Sequence, residues 1–399
     1  MSGGGTLGNT NALVLNNANS KLLLNSITLG SASTSADSLG VDVDNNSTIT
    51  SLSVGHITPV SIDTGKTLSG AITVTAGSIK LGEAGTLASS VSMSGGTLDA
   101  DESLTLSGAL TQSGNITIDV ADNKILTYSG AALNLGAYTL TLSGEGRLSN
   151  TYVLGLNNAN SKLLLSSSIT VDRVSTSLAS LGLDVDGDST VTSLSVGHIT
   201  PVSIASGKTL SGAITVTAGS IKLSETGTLG SSVSMSGGTL DADESSTVSG
   251  ALTQAGNITI DVADNKTLTY SGAALSLDNN TLTLSGEGRL SNSYPLVLNN
   301  ASSKLLLSNS ITVDNVSTSL ASLGLDVDAN STVSSLTVDH ITPVSIASGK
   351  TLSGAITVSA GSIKLGETGT LASTVSMSGG TLDADESLTL SGALTQSGN

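Results

Sequence analysis

Cysteine, phenylalanine and tryptophan are absent from this 399-residue chain, proline occurs four times, and 14 basic residues face 31 acidic ones. Without Cys there is no disulfide scaffold, and the thiol content says nothing firm about redox compartment. A globular core of this size normally uses aromatic rings to fill irregular volume. Only five Tyr are present: Tyr128, Tyr138, Tyr152, Tyr270 and Tyr294. The core must therefore be built from Leu, Ile, Val, Ala and four Met, which suits a narrow interior of recurring shape. A net charge of −17 with no basic run excludes nucleic acid and cationic attachment to a membrane as the expected partners. No apolar run approaches the roughly 18 residues of a membrane span, so insertion of this segment is not expected. The opening MSGGGTLGNT has neither a basic nor an apolar signal region, and an export address would lie on a segment outside this sequence.

The chain is 38% hydrophobic, only 11% charged and positive in mean hydropathy. Disorder needs the opposite balance. An ordered, repetitive protein is predicted.

The repeat is read directly. HITPVSIDTGKTLSGAITV at 56–74 returns as HITPVSIASGKTLSGAITV at 198–216 and again at 340–358, a spacing of 142 residues. Units at 1–141, 142–283 and 284–399 follow. The segments 198–257 and 340–399 differ at seven positions. Neither end reads as a specialised cap, which predicts a longer parent chain.

Within a unit the pattern is strand throughout. In Lys208–Val216, Leu210, Ile214 and Val216 share one face, and Thr209, Ser211 and Thr215 the other. Ile258–Val262, Thr281–Leu284 and Lys304–Leu307 alternate likewise, bounded by Gly, Asn, Asp and Ser. No stretch has a capped helical period. Two architectures satisfy this: a string of β-sandwich beads, or a parallel β-solenoid. The solenoid accounts better for the missing aromatics, because thin aliphatic ladders fill its core. The prediction is an all-β, right-handed parallel β-helix of about 20 coils of roughly 20 residues, built from 142-residue tandem repeats. Leu68-Ser-Gly, Leu106-Ser-Gly, Tyr128-Ser-Gly and Leu142-Ser-Gly are expected to close strands with one common turn.

The phrases TLTLSG, MSGGTL and NNxxSKLLL, as at Thr139–Gly144, Met93–Leu98 and Asn157–Leu165, resemble the repetitive passenger regions of bacterial autotransporter and filamentous-haemagglutinin-type adhesins. The resemblance is one of period and Ser/Thr/Gly/Asn richness over the whole chain, with no invariant motif. It implies export, a location outside the cell or on its surface, and service in adhesion or fibre formation.

Candidate chemistry is sparse. His56, His198 and His340 are imidazole ligand types, but the repeat would set them roughly 34 Å apart in a stack of strands. They are expected to be corner residues ahead of Pro59, Pro201 and Pro343. Asp184, Asp186 and Asp188 open like a calcium loop, yet Ser189 and Ser195 occupy the positions where the loop needs Gly and an acid. A solvated turn is favoured over weak calcium binding. Leu98-Asp-Ala-Asp-Glu102 and its copies at Leu240 and Leu382 read as exposed turns. Arg is confined to Arg147, Arg173 and Arg289, and no G-x-S-x-G elbow occurs. Neither an enzyme nor a cofactor or metal site is expected. The Thr-x-Thr phrases at Thr73, Thr139 and Thr281 raise ice binding, but they sit at different phases of the unit. A carbohydrate-binding face, with Tyr152 or Tyr294 as its platform, is the other alternative to a stiff structural rod. The expected partners are further copies of the chain, end to end, with surface glycans or cell-surface receptors as candidates.

Overall fold

The computed structural model describes residues 1–398. Two compact units, Met1–Leu194 and Ser195–Asn399, divide the chain. Among the described residues both consist of strands, turns and bends, with no helix. Each coil gives one short strand to a narrow sheet and one long or two shorter strands to a broad sheet. The narrow sheet has nine strands in the first unit, Lys21–Leu24 through Gly182–Val185, and ten in the second, Thr200–Ile204 through Thr381–Ala384. All strand pairs described within the units are parallel (for example Thr97–Ala100 with Ile116–Val120). Sandwich beads would need antiparallel pairs. The fold is a parallel β-solenoid of about 20 turns.

The period-2 alternation decides which side chains enter the core. In the first unit Thr58, Ile79, Leu98, Ile118, Leu142, Leu165 and Val185 pair coil after coil, each no more than 1% exposed. The second unit builds the same file from Thr200, Ile221, Leu240, Ile260, Leu284 and Leu307. Each buried aliphatic side chain in such a file contributes about 1.5–3 kcal/mol. Thr58 is tolerated in the file because its hydroxyl donates to the His56 carbonyl at 3.1 Å and pairs with the Thr34 hydroxyl at 3.2 Å. Thr342 repeats the arrangement with Thr318 and His340.

Coil length is not constant, and the core responds. Leu98 pairs with Ile118 twenty residues on, whereas Ile118 pairs with Leu142 twenty-four on. The wider coil holds Tyr128, and its counterpart in the second unit holds Tyr270; these two Tyr are buried. A ring fills the extra cross-section that Leu leaves open. The phenol cannot be buried unpaired: Tyr128 Oη accepts from the Leu110 and Ala131 amides at 3.1 and 3.3 Å.

Two sequence expectations change. Leu106, Tyr128 and Leu142 do close or nearly close strands, but Leu68-Ser69-Gly70 lies inside the strand Thr67–Val74. There the register against Ser47–Val54 shifts by one residue. Gly70 takes φ +119, and a Cβ on it would lie 1.8 Å from the Ile49 carbonyl oxygen. The phrase marks a bulge at this point, not a turn. Likewise Leu98-Asp-Ala-Asp-Glu102 is only partly a turn. Leu98 and Ala100 are buried strand residues, and Asp99 lies on the strand between them.

Tyr128→Phe leaves the Leu110 and Ala131 amides without their acceptor. The expected cost is about 1–3 kcal/mol, read as a lower denaturation midpoint and faster hydrogen exchange at these two amides.

Candidate functional site

The outward side of the narrow sheet carries most of the ion pairs. Lys21 meets Asp42 at 2.5 Å, Lys162 meets Asp184 at 2.5 Å and Lys304 meets Asp326 at 2.6 Å. In each case a Lys beginning one narrow strand reaches the Asp of the next coil. Lys80 spans Asp99 at 3.2 Å and Asp101 at 3.7 Å, and Lys222 repeats this with Asp241 and Asp243. The hydrogen bond and charge of Asp99 raise the Lys80 pKa, since both favour the ammonium. Asp99 also titrates above its ordinary value, with burial the main cause and Asp101 and Asp119 adding repulsion. These shifts pull in opposite senses for the pair. Asp99 is the more enclosed partner, with 15% of its side chain exposed against 41% for Lys80, so desolvation dominates on the carboxylate alone.

One group of carboxylates converges. Asp42, Asp44 and Asp63 offer oxygens within 4.8 Å of one another. Backbone pairing causes this: Asp44 N donates to Leu24 O and Asp63 N to Val43 O, which sets the strand ends of successive coils side by side. Glu83, in the left-handed region at φ +67, directly follows the next narrow strand, Ser78–Gly82, and joins them. Its pKa is raised, first by a hydrogen bond with Asp63, then by burial and the Asp63 charge. Lys21 supplies the nearest opposing charge through Asp42. The arrangement can share a proton between Glu83 and Asp63, or accept a cation in competition with Lys21.

At Asp184, Asp186 and Asp188, where the sequence favours a solvated turn over weak calcium binding, no such group forms among the described residues. Asp184 is engaged by Lys162, and Asp186 is exposed in the turn. The second and third copies have Ala205 and Ala347 where Asp63 stands, so the neighbouring coil supplies no carboxylate. That signal was present in the sequence, but only coil pairing shows that residues 44 and 63 are neighbours. His56 lies 3.8 Å from Asp37, both largely exposed, and no His joins a cluster of metal-ligand type among the described residues. Pro59, Pro201 and Pro343 fall second in their strands, as expected for strand starts. Tyr152 and Tyr294 are 50% and 52% exposed.

No family model matches the chain, and no curated protein or solved structure matches it.

Because Glu83 holds its proton more tightly folded than unfolded, it adds stability that is fully present below its ordinary value of 4.5 and is lost as pH rises from there through the raised folded value. Glu83→Gln removes the repulsion yet still donates to Asp63. It is expected to denature later than the parent at pH 7, with the difference closing below about pH 4. Denaturation midpoints measured across this range check the sign.

Proposed function

We propose that this is an extracellular structural or adhesive protein, whose function is to extend a stiff stack of β-coils with right-handed winding and the 142-residue repeat as its unit. One observation supports it above the others. The same parallel main-chain pairing and the same aliphatic files run from coil to coil through each unit, with the interior closed by Leu, Ile and Val. Stacking of this kind is open-ended in principle, because every coil presents backbone groups able to pair with another. End-to-end association of copies would use no other chemistry.

Adhesion has a surface to use. Leu320, Leu323 and Ile341 are each about half exposed at one corner of the second unit, and Leu39 and Ile57 occupy the corresponding corner of the first. Such residues, if contiguous, would give an adhesive contact its apolar centre. A glycan-binding reading rests on the exposed Tyr152 and Tyr294, in a chain with only five aromatic residues. It is the weaker reading, and no cofactor or catalytic step enters either one.

Purified chain is expected to form elongated end-to-end particles by negative-stain microscopy, growing with concentration and insensitive to chelator. Single short particles at every concentration would remove the assembly reading. Glycan-array binding lost on Tyr152→Ala and Tyr294→Ala would favour the glycan one.

A further inference from the structure

The broad sheet has an outward face unlike the rest of this acidic molecule. In the first unit its strands Thr28–Thr34, Ser47–Val54, Thr67–Val74, Ser90–Met93 and Leu110–Gln112 contain no charged residue. Ser33, Ser53, Thr73, Ser92 and Thr111 pair in succession across these five coils and point outward. Two residues away, Ser31 pairs with Ser51 and Ala71 with Ser90, on either side of the bulge. The second unit repeats the array: Thr215, Ser234 and Thr253 in one run, and Ser317, Thr337, Thr357, Ser376 and Thr395 in another. No single Thr-x-Thr phrase produces this. Thr139–Gly144 and Thr281–Gly286 lie on the narrow sheet, and the files are assembled from unlike phrases by coil stacking.

Six hydroxyls of the face are held alike. Thr111, Thr253 and Thr395 each lean on the carbonyl of the preceding coil, at Val91, Val233 and Val375, 3.4–3.5 Å away. Ser90, Ser232 and Thr374 do the same on Gly70, Gly212 and Gly354. The files place hydroxyls on a lattice of about 4.8 Å along the stack and about 6.6 Å along the strand.

We propose that this face binds ice, by ordering a lattice of water on its hydroxyl files. Water both donates and accepts, so it can satisfy hydroxyls set along regular files whichever way each proton turns. On the five strands of the first unit the face has neither an aromatic platform for a sugar ring nor a charged side chain to attract an ionic partner or orient water away from a lattice. In the second unit Asp314, paired with Arg289, stands on the strand that begins the longer run. Methyl groups of Thr and Ala between the hydroxyls limit alternative water positions. Each contact is weak, but a regular array engages them together. The inference is independent of the assembly reading, since a single unit carries the face.

The full chain is expected to show thermal hysteresis and to inhibit ice recrystallisation. The triple variant Thr73→Lys, Thr215→Lys, Thr357→Lys places a charge at one exposed position of the face in each copy and is expected to lose both signals. The triple variant Thr64→Lys, Ser206→Lys, Ser348→Lys adds the same charge in exposed turns and is expected to keep both. Should the first variant not fold, by circular dichroism, Thr→Val at the same three positions removes the hydroxyls while keeping strand preference, and the same loss is expected. Absence of hysteresis in the unmodified chain, or equal loss in the face and turn variants, overturns the proposal. Retention on insoluble cellulose that the face variant abolishes, with no activity on ice, overturns it in favour of a polysaccharide ligand.

Discussion

Parallel pairing between successive coils is the constraint on which the rest depends. Each main-chain bond that joins Thr97–Ala100 to Ile116–Val120 also sets which side chains stand above one another. Once Leu98 is inward, Ile118 must be inward too, and Asp99 and Asp119 must both face outward. The aliphatic files, the Lys–Asp rungs and the hydroxyl rows are three readings of one register. A one-residue slip would exchange the core for the charged face. The buried files of Leu, Ile and Val hold the register against such a slip.

Departures from regularity show the same constraint at work. Where the coil lengthens by about four residues, the interior widens, and Tyr128 and Tyr270 occupy it with their hydroxyls bound to backbone amides. Where a strand must bend, Gly70 accepts φ +119 against the Ile49 carbonyl. At Gly144, φ is +85 and the Val120 carbonyl would lie 1.9 Å from any Cβ. Coils are stacked so closely that backbone itself blocks a side chain at these points. The scarcity of aromatics is thus not a deficit; it matches a cavity that is narrow almost everywhere.

The two sheets divide the surface chemically. The narrow sheet concentrates paired charges and the Asp42, Asp44, Asp63 and Glu83 group, in which like charges are forced together by coil spacing and relieved by proton sharing and by Lys21. The broad sheet is mostly neutral outside, with Arg147–Asp172 and Arg289–Asp314 as its ion pairs. A molecule with net charge −17 therefore still presents an uncharged hydroxyl face.

Strand content, the repeat and the aliphatic nature of the core were legible in the sequence, because alternation in Lys208–Val216 and recurrence of HITPVSI are local patterns. The coil count could be approached from the same information, since 142 residues allow only a few coils of plausible length. Contacts between coils were not legible. Asp63 and Asp44 are nineteen residues apart in the chain, and nothing in either phrase announces that backbone pairing makes them neighbours. Asp184, Asp186 and Asp188 open like a calcium loop in local spacing, and all three lie on the outward side, but Lys162 engages Asp184 and Ala205 takes the place of a carboxylate from the next coil. The Ser/Thr rows were hidden for the same reason. Each row draws one residue per coil, from phrases of different wording and from coil steps of unequal length, so only the three-dimensional register could bring them into line.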